Sequence, residues 1–88
     1  MQQALLSMGA SAGVDPVLSA MTEAEEAIHA VMNNDRPVEL MPQRAYIRRL
    51  QHELAQRFNL SSQSRGREPQ RRVRIMPGRG GGVYSIED

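Results

Sequence analysis

Residues 43–58 read QRAYIRRLQHELAQRF and carry the clearest helical pattern of the sequence. Their large apolar side chains recur at intervals of three and four residues: Ile47, Leu50, Leu54 and Phe58. This spacing places them along one face of an α-helix, where they can pack on a core. Pro42 suits the start of such a helix, and Asn59 suits a left-handed stop. The stretch therefore predicts an amphipathic helix of about four turns.

The same stretch carries a polar stripe, because Arg44, Arg48 and His52 are spaced by four residues. Each step of four rotates the position by about 40°, so we expect one exposed ridge beside the apolar face. A guanidinium matches phosphate geometry and stacks on bases, and an imidazole can hydrogen-bond or stack. Such a ridge suits contacts with phosphates or bases. The alternative is an ordinary solvated helix face.

The residues before this helix predict a second helix and a short strand. Apolar residues follow helical spacing over residues 17–32. That helix can begin at Pro16, with Asp15 as its cap, or only after Thr22, and the pattern leaves both starts open. Residues 36–41 then form a short segment in which Val38 and Leu40 alternate with Glu39, which is typical of a brief edge strand.

Two more short strands are predicted after the long helix, over residues 60–64 and 72–75, with a turn containing Gly and Pro between them. The second strand alternates at period two, so Val73 and Ile75 face the core and its two arginines face outward. The order helix, strand, helix, strand, strand predicts a small α+β domain with both helices on one face of a three-stranded sheet.

The charge of this chain is divided between its two halves. All 11 basic residues are arginine, and the net charge is only +1. Residues 1–40 carry six acids and one arginine, whereas residues 41–79 carry ten arginines and two acids. The clustering favours an anionic partner for the second half. Genome composition is an equally good reason for the missing lysine, but it leaves the clustering unexplained.

Two parts of the sequence resemble a known family when they are taken together. Residues 48–52 contain an Arg-x-x-x-His pair on the predicted helix. The matching residues downstream are Leu60, Ser62, Ser64, Gly66, Glu68-Pro69, Arg71-Arg72 and Val73-Arg74-Ile75. These features resemble the R-3-H (Arg-x-x-x-His) domain family of single-stranded nucleic-acid-binding proteins. The bacterial type is the most similar, because there a Ser-x-Gly-x-Glu-Pro-x-Arg turn joins the last two strands. The resemblance covers roughly residues 23–77.

The resemblance implies three antiparallel strands backed by two helices, and binding of single-stranded DNA or RNA with little sequence preference. Arg48 and His52 carry over from the family motif. We expect Arg48 to clamp a phosphate and His52 to bond to or stack on the neighbouring nucleotide. We add, on electrostatic grounds alone, the other arginines of the helix start, the turn and the last strand: Arg44, Arg65, Arg67, Arg71, Arg72 and Arg74. The expected organisation is a lead-in over residues 1–15, the domain over residues 16–77 and a Gly-rich tail over residues 78–88.

The remaining expectations concern chemistry, location and partners. We expect a monomeric binding protein with no catalytic residues, cofactor or metal, because neither a nucleophile with its base nor a metal-ligand spacing is evident. The absence of cysteine and of a long apolar run predicts a cytoplasmic protein away from membranes. Tyr46 is expected to pack in the core or at its rim, with base stacking as the alternative.

A second hypothesis is that the chain is a protein-interaction module with an acidic first helix that docks on a larger partner. Residues 25–40 are similar to the segment that precedes the R-3-H domain at the end of some bacterial AAA-type ATPases. The chain would then be an adaptor derived from such an ATPase.

Overall fold

The computed structural model describes residues 15–78 of the 88-residue chain. Its two helices and three strands follow the predicted order of helix, strand, helix, strand, strand, in one α+β domain. The elements are helix α1 (Pro16–Asn34), strand β1 (Val38–Glu39), helix α2 (Ala45–Arg57), strand β2 (Ser61–Arg65) and strand β3 (Arg72–Met76).

Helix α1 begins at Pro16, which decides between the two starts that the sequence leaves open. The Asp15 side chain accepts a hydrogen bond from the Val17 backbone N–H at 2.9 Å. An aspartate cap followed by proline satisfies one free N–H and removes another, so the helix needs no later start at Thr22. The helix ends where Asp35 takes a left-handed conformation, with φ 59°.

Helix α2 ends at Arg57, and the predicted left-handed residue, Asn59, follows two positions later with φ 62°. The Asn59 N–H donates to the Gln56 carbonyl at 2.9 Å, and the Leu60 N–H donates to the Ala55 carbonyl at 3.0 Å. This pair of bonds is a Schellman motif, which satisfies two carbonyls at the helix end and reverses the chain. The reversal is tight enough for β2 to begin at Ser61.

The three strands form an antiparallel sheet in the order β1-β3-β2. Strand β3 is therefore central, and β1 is the brief edge strand that the sequence predicts. The register pairs Ser62 with Ile75 and Ser64 with Val73, so β2 presents serines on the same face as the apolar side chains of β3. Both helices pack on that face, which is called the inner face below.

The apolar core lies between the helices and the inner face. It joins small residues of α1 to branched residues of the sheet: Ala24, Ala27, Ile28, Val31, Leu40, Ala55, Leu60, Val73 and Ile75. Alanines along α1 let the two helices approach closely. The inward orientation of Val73 and Ile75 is confirmed, since both side chains are fully buried.

The buried face of α2 differs from the predicted one. The side chains that are buried are Ile47, Arg48, Gln51, His52 and Ala55. The three remaining residues of the predicted apolar stripe, Leu50, Leu54 and Phe58, are only half-buried. The helix is turned so that its polar side chains face the serines of β2. The Gln51 side-chain amide also donates to the Ala20 carbonyl of α1 at 3.1 Å, which joins the two helices.

The predicted lead-in and tail lie outside the described residues, apart from Asp15 and Gly78. Within residues 15–78, neither helix has the length and apolar character needed to cross a bilayer.

Candidate nucleic-acid interface

The predicted exposed ridge of Arg44, Arg48 and His52 is wrong for two of its three residues. Arg44 is exposed at the N-cap of α2. Arg48 is 2% exposed and His52 is 0% exposed. Helical spacing alone cannot tell which side of a helix faces the core when the facing strand is polar. The Arg-x-x-x-His pair therefore faces the interior of the domain in this structure.

Arg48 links the start of α2 to the loop between β2 and β3. Its Nη1 donates to the Gln43 carbonyl at 2.7 Å, and its Nη2 lies 2.9 Å from Glu68 Oε2. The Arg48 side chain is 3% exposed, whereas that of Glu68 is 60% exposed. One end of the ion pair is thus in the interior and the other is at the surface. Such a contact fixes where the loop lies relative to the helix.

His52 links α2 to β2. Its Nδ1 lies 2.6 Å from Ser62 Oγ, and its Nε2 lies 2.9 Å from Ser64 Oγ. In a neutral imidazole one nitrogen donates and the other accepts, and a serine hydroxyl can take either role. The ring is therefore held by two alternate residues of one strand.

These contacts explain why the two halves of the family pattern occur together. The Arg-x-x-x-His pair supplies one set of hydrogen-bonding groups, and Ser62, Ser64 and Glu68 of the downstream turn supply the other. The six residues of this arrangement, called the Arg48–His52 network, are Gln43, Arg48, His52, Ser62, Ser64 and Glu68. The sequence contained the signal, because the serines alternate in β2 at the spacing that points them inward.

The outer face of the sheet, opposite the helices, carries a cluster of arginines. Arg65 of β2 is directly opposite Arg72 of β3, and Gln63 is opposite Arg74. Because side chains alternate along a strand, these residues point away from the core. The sequence predicts the outward orientation of Arg72 and Arg74, and their register beside Val73 and Ile75 confirms it.

Glu39 of β1 lies among these arginines, although it is not one of the site residues predicted from the sequence. It is opposite Arg74, and its Oε1 accepts a hydrogen bond from Arg72 Nε at 2.9 Å. The bond from Arg72 holds the pKa of Glu39 below its usual range, and the charges of Arg72, Arg74 and Arg65 lower the pKa further. Partial desolvation opposes this shift. The signal for Glu39 is its position between Val38 and Leu40, which puts it on the outward face of an edge strand.

The loop between β2 and β3 is braced by its own backbone and by arginines. The Arg71 Nη1 donates to the Gly66 carbonyl at 2.7 Å, and the Gln70 N–H donates to the Arg67 carbonyl at 2.6 Å. Gly66 has φ +90°, which favours glycine, and a Cβ there would lie 2.6 Å from Arg72 Nη1. The Glu68–Pro69 peptide bond is cis.

The loop lies beside the start of α2, because the Gln43 N–H donates to the Arg71 carbonyl at 3.3 Å. We call residues 66–71 together with residues 42–46 the loop end of the domain. Arg44 and Arg67 are exposed there. Tyr46 is 61% exposed, so the expectation that it packs in the core or at its rim is wrong. Its stacking on a base stays a prediction.

The structure thus divides the eight predicted site residues into two groups. Arg48 and His52 belong to the buried network. The other six lie on the outer face or at the loop end: Arg44, Arg65, Arg67, Arg71, Arg72 and Arg74. Over residues 15–78, no three His, Cys, Asp or Glu side chains come together in a way that could hold a metal ion.

Comparison with known families agrees with this architecture. Residues 19–77, about two thirds of the chain, match the R-3-H domain. The chain belongs to the R-3-H domain family. R-3-H domains are nucleic-acid-binding domains, so the general class of ligand follows from the family. The predicted resemblance, which starts at about residue 23 and ends at residue 77, is confirmed.

One curated relative of this R-3-H domain is the uncharacterized protein ycf45 of Porphyra purpurea. It is 41% identical over 61 residues, which are 68% of this chain and 11% of that protein. The chain therefore spans about a ninth of the length of the relative that it matches. No solved structure matches the chain significantly.

Proposed function

We propose that this R-3-H domain binds single-stranded nucleic acid, without sequence preference, along the outer face and the loop end. The observation that carries the proposal is the cluster of Arg65, Arg72 and Arg74 on neighbouring strands of the outer face. Like charges directly across two strands destabilise a sheet. A bound anion would therefore relieve the repulsion within this arginine cluster. A phosphodiester backbone supplies regularly spaced anions that guanidinium groups bind well.

The loop end continues this basic surface toward α2. Arg67 and Arg71 lie in the loop, and Arg44 lies at the helix start that the loop contacts. Exposed Tyr46 is one turn before Arg49 on α2. An aromatic ring beside guanidinium groups suits a base that is free to stack, and only a single strand offers its bases in that way. DNA and RNA both fit this chemistry.

The Arg48–His52 network has a positioning role in this proposal. Burial prevents either side chain from reaching a ligand unless the domain rearranges. Arg48 instead holds the loop by Glu68, and His52 holds β2 by its serines. The predicted direct contact of Arg48 and His52 with a nucleotide is therefore replaced by an indirect effect through the arginines that these elements carry.

We propose binding rather than catalysis because His52 is buried. Both ring nitrogens of His52 are engaged by serine hydroxyls in the interior, which supports a structural histidine. The adaptor hypothesis stays a prediction. The exposed ridge of α1 mixes Leu18 and Met32 with Glu25 and His29, so it offers no continuous apolar strip for a protein partner.

The test is a titration of a fluorescent oligothymidine and its RNA counterpart, followed by anisotropy over a range of salt concentrations. Three to four phosphate contacts predict a slope of log K against log salt of roughly −2 to −3, since each contact contributes about 0.7 on a single strand. The Arg65→Gln/Arg74→Gln variant should flatten the slope by about 1.4. We expect micromolar affinity, on the order of non-specific binding.

Arg36→Gln is the matched control, because Arg36 is exposed but precedes the edge strand at the opposite end of the sheet from the loop. It should leave the slope within error. A slope near zero for the unmodified protein, or equal slopes for the double variant and the control, would contradict the proposal.

A further inference from the structure

We propose that Glu39 occupies a phosphate subsite on the outer face in the free protein, and that a backbone phosphate displaces its carboxylate from Arg72 on binding. This inference rests on the proposed function and assigns one position within that surface. Glu39 would then limit the affinity of the domain for nucleic acid.

The geometry around Glu39 carries the inference. The carboxylate accepts from Arg72 Nε at 2.9 Å, and Arg74 is the residue directly across the β1–β3 pair. Arg65 is directly across the β2–β3 pair from Arg72. Three guanidinium groups from two strands are thus arranged near one carboxylate. Among the described strand residues of the outer face, Glu39 is the only acid.

A carboxylate and a phosphodiester place similar demands on a guanidinium. Both are anions with two oxygens available for parallel N–H bonds, and Arg72 is suited to either. The Arg72 and Glu39 side chains are 32% and 42% exposed, so water reaches the pair and either group can move. An exposed pair of this kind is worth little energetically, so a phosphate that also contacts Arg65 and Arg74 can replace the carboxylate.

The position of Glu39 follows from the shortness of β1. That strand has two residues, of which Val38 faces inward and Glu39 outward. A single carboxylate at the sheet edge can swing away from the arginines without breaking more than one hydrogen bond. The free protein gains a counter-charge for three arginines, and the bound state gives up only that one contact.

The experiment compares the unmodified protein with Glu39→Gln in titrations of the fluorescent oligothymidine at fixed low salt. The amide keeps the size of the side chain and removes its charge. We expect affinity to rise about fivefold, because an exposed ion pair is worth up to about that factor and the phosphate no longer has to break it. Far-UV circular dichroism and thermal unfolding establish that both proteins are folded.

Glu26→Gln is the matched control, because Glu26 is exposed on α1, on the other side of the sheet. It changes the net charge equally but lies outside the arginine cluster, so salt should screen most of its effect. A second comparison introduces Glu39→Gln into an Arg72→Gln background. If Glu39 acts through Arg72, its effect there should shrink to that of the control.

Three outcomes are distinguishable. A fivefold gain that disappears in the Arg72→Gln background supports the inference. Binding by the unmodified protein with no gain beyond the Glu26→Gln control overturns the inference and leaves the proposed function in place. An absence of binding by both the unmodified protein and Glu39→Gln overturns the proposed function and the inference with it.

Discussion

Arginine occupies two contrasting regions of this domain. In the interior, Arg48 is held between a backbone carbonyl and Glu68, beside His52 and its serines. On the outer face, Arg72 and Arg74 are partly exposed, and the Glu39 carboxylate of the neighbouring strand lies beside them. The family motif names the interior residues, whereas the surface that suits an anion contains others. The residues that identify a family therefore need not be those that touch its ligand.

The two regions also differ in what a substitution should change. Removing the partner of a buried polar group lowers the free energy of unfolding, because no water reaches the remaining group to replace the lost hydrogen bond. An exposed arginine that is removed costs little stability but reduces the attraction for phosphates. Variants in the interior should therefore move unfolding curves, and variants at the surface should move binding curves.

The largest expected effect comes from His52→Ala. The change leaves a cavity and removes the partner of buried Ser62, so the free energy of unfolding should fall by about 2–4 kcal/mol. Urea denaturation measures this loss. A domain of this size has a total stability of about 3–5 kcal/mol, so a large unfolded fraction is expected.

His29→Ala is the control, because His29 is exposed on α1 and makes only an edge contact with Phe58, with ring centroids 6.2 Å apart. It should change stability by no more than about 0.5 kcal/mol. If His52→Ala instead weakened oligonucleotide binding while the unfolding curve stayed in place, the histidine would be a direct ligand contact and not a structural residue of the interior.

A smaller effect is expected from Arg48→Met, which keeps most of the side-chain volume but removes the guanidinium. The loss of stability should be about 1–3 kcal/mol, because Glu68 can be hydrated once it is released. The loop should also loosen. Hydrogen exchange at the Gln70 amide, which now donates to the Arg67 carbonyl, should accelerate by more than the global loss of stability explains.

Arg49→Met is the matched control, since Arg49 is the exposed neighbour of Arg48 on α2. Its unfolding curve and its Gln70 exchange should match those of the unmodified protein. Equal effects of the two arginine variants would show that the contact with Glu68 does not brace the loop.

The smallest expected effect on stability comes from Tyr46→Ala at the loop end. Tyr46 is 61% exposed, so unfolding should shift by less than about 0.5 kcal/mol. If the ring stacks on a base, affinity for the oligothymidine should fall by about 1 kcal/mol or more. The chain has no tryptophan and only one other tyrosine, so Tyr84→Phe leaves Tyr46 as the sole residue that fluoresces when tyrosine is excited.

Fluorescence of the Tyr84→Phe protein then reports on Tyr46 directly. Quenching on addition of oligothymidine is the expected result. If anisotropy detects binding but the fluorescence stays unchanged, Tyr46 is not part of the interface. The binding surface would then consist of the arginines alone.

Most of the fold can be predicted from the sequence, because its local signals agree with one another. Asp15 and Pro16 start α1, Asn59 ends α2, and alternation in β3 orients Val73 and Ile75. These features depend on a few neighbouring residues. The charge division likewise identifies the basic half, and the outward arginines of β3 follow from the pleat of a strand.

The burial of Arg48 and His52 could not be predicted from helical spacing. The apolar residues Leu50, Leu54 and Phe58 indicate a core face, but β2 presents serines to α2, and the helix turns to match them. That preference depends on residues ten or more positions away along the chain. Glu39 was missed for a related reason, since its place among the arginines depends on the pairing of β1 with β3.

The Schellman motif at Asn59 has a consequence for the order of folding. It brings His52 within reach of Ser62, only ten residues further along the chain, before any distant segment is needed. The pairing of β1 with β3, by contrast, closes a segment of more than thirty residues. Short closures form sooner than long ones. We therefore expect α2 and β2 to form the nucleus of the transition state, onto which α1 and the remaining strands assemble.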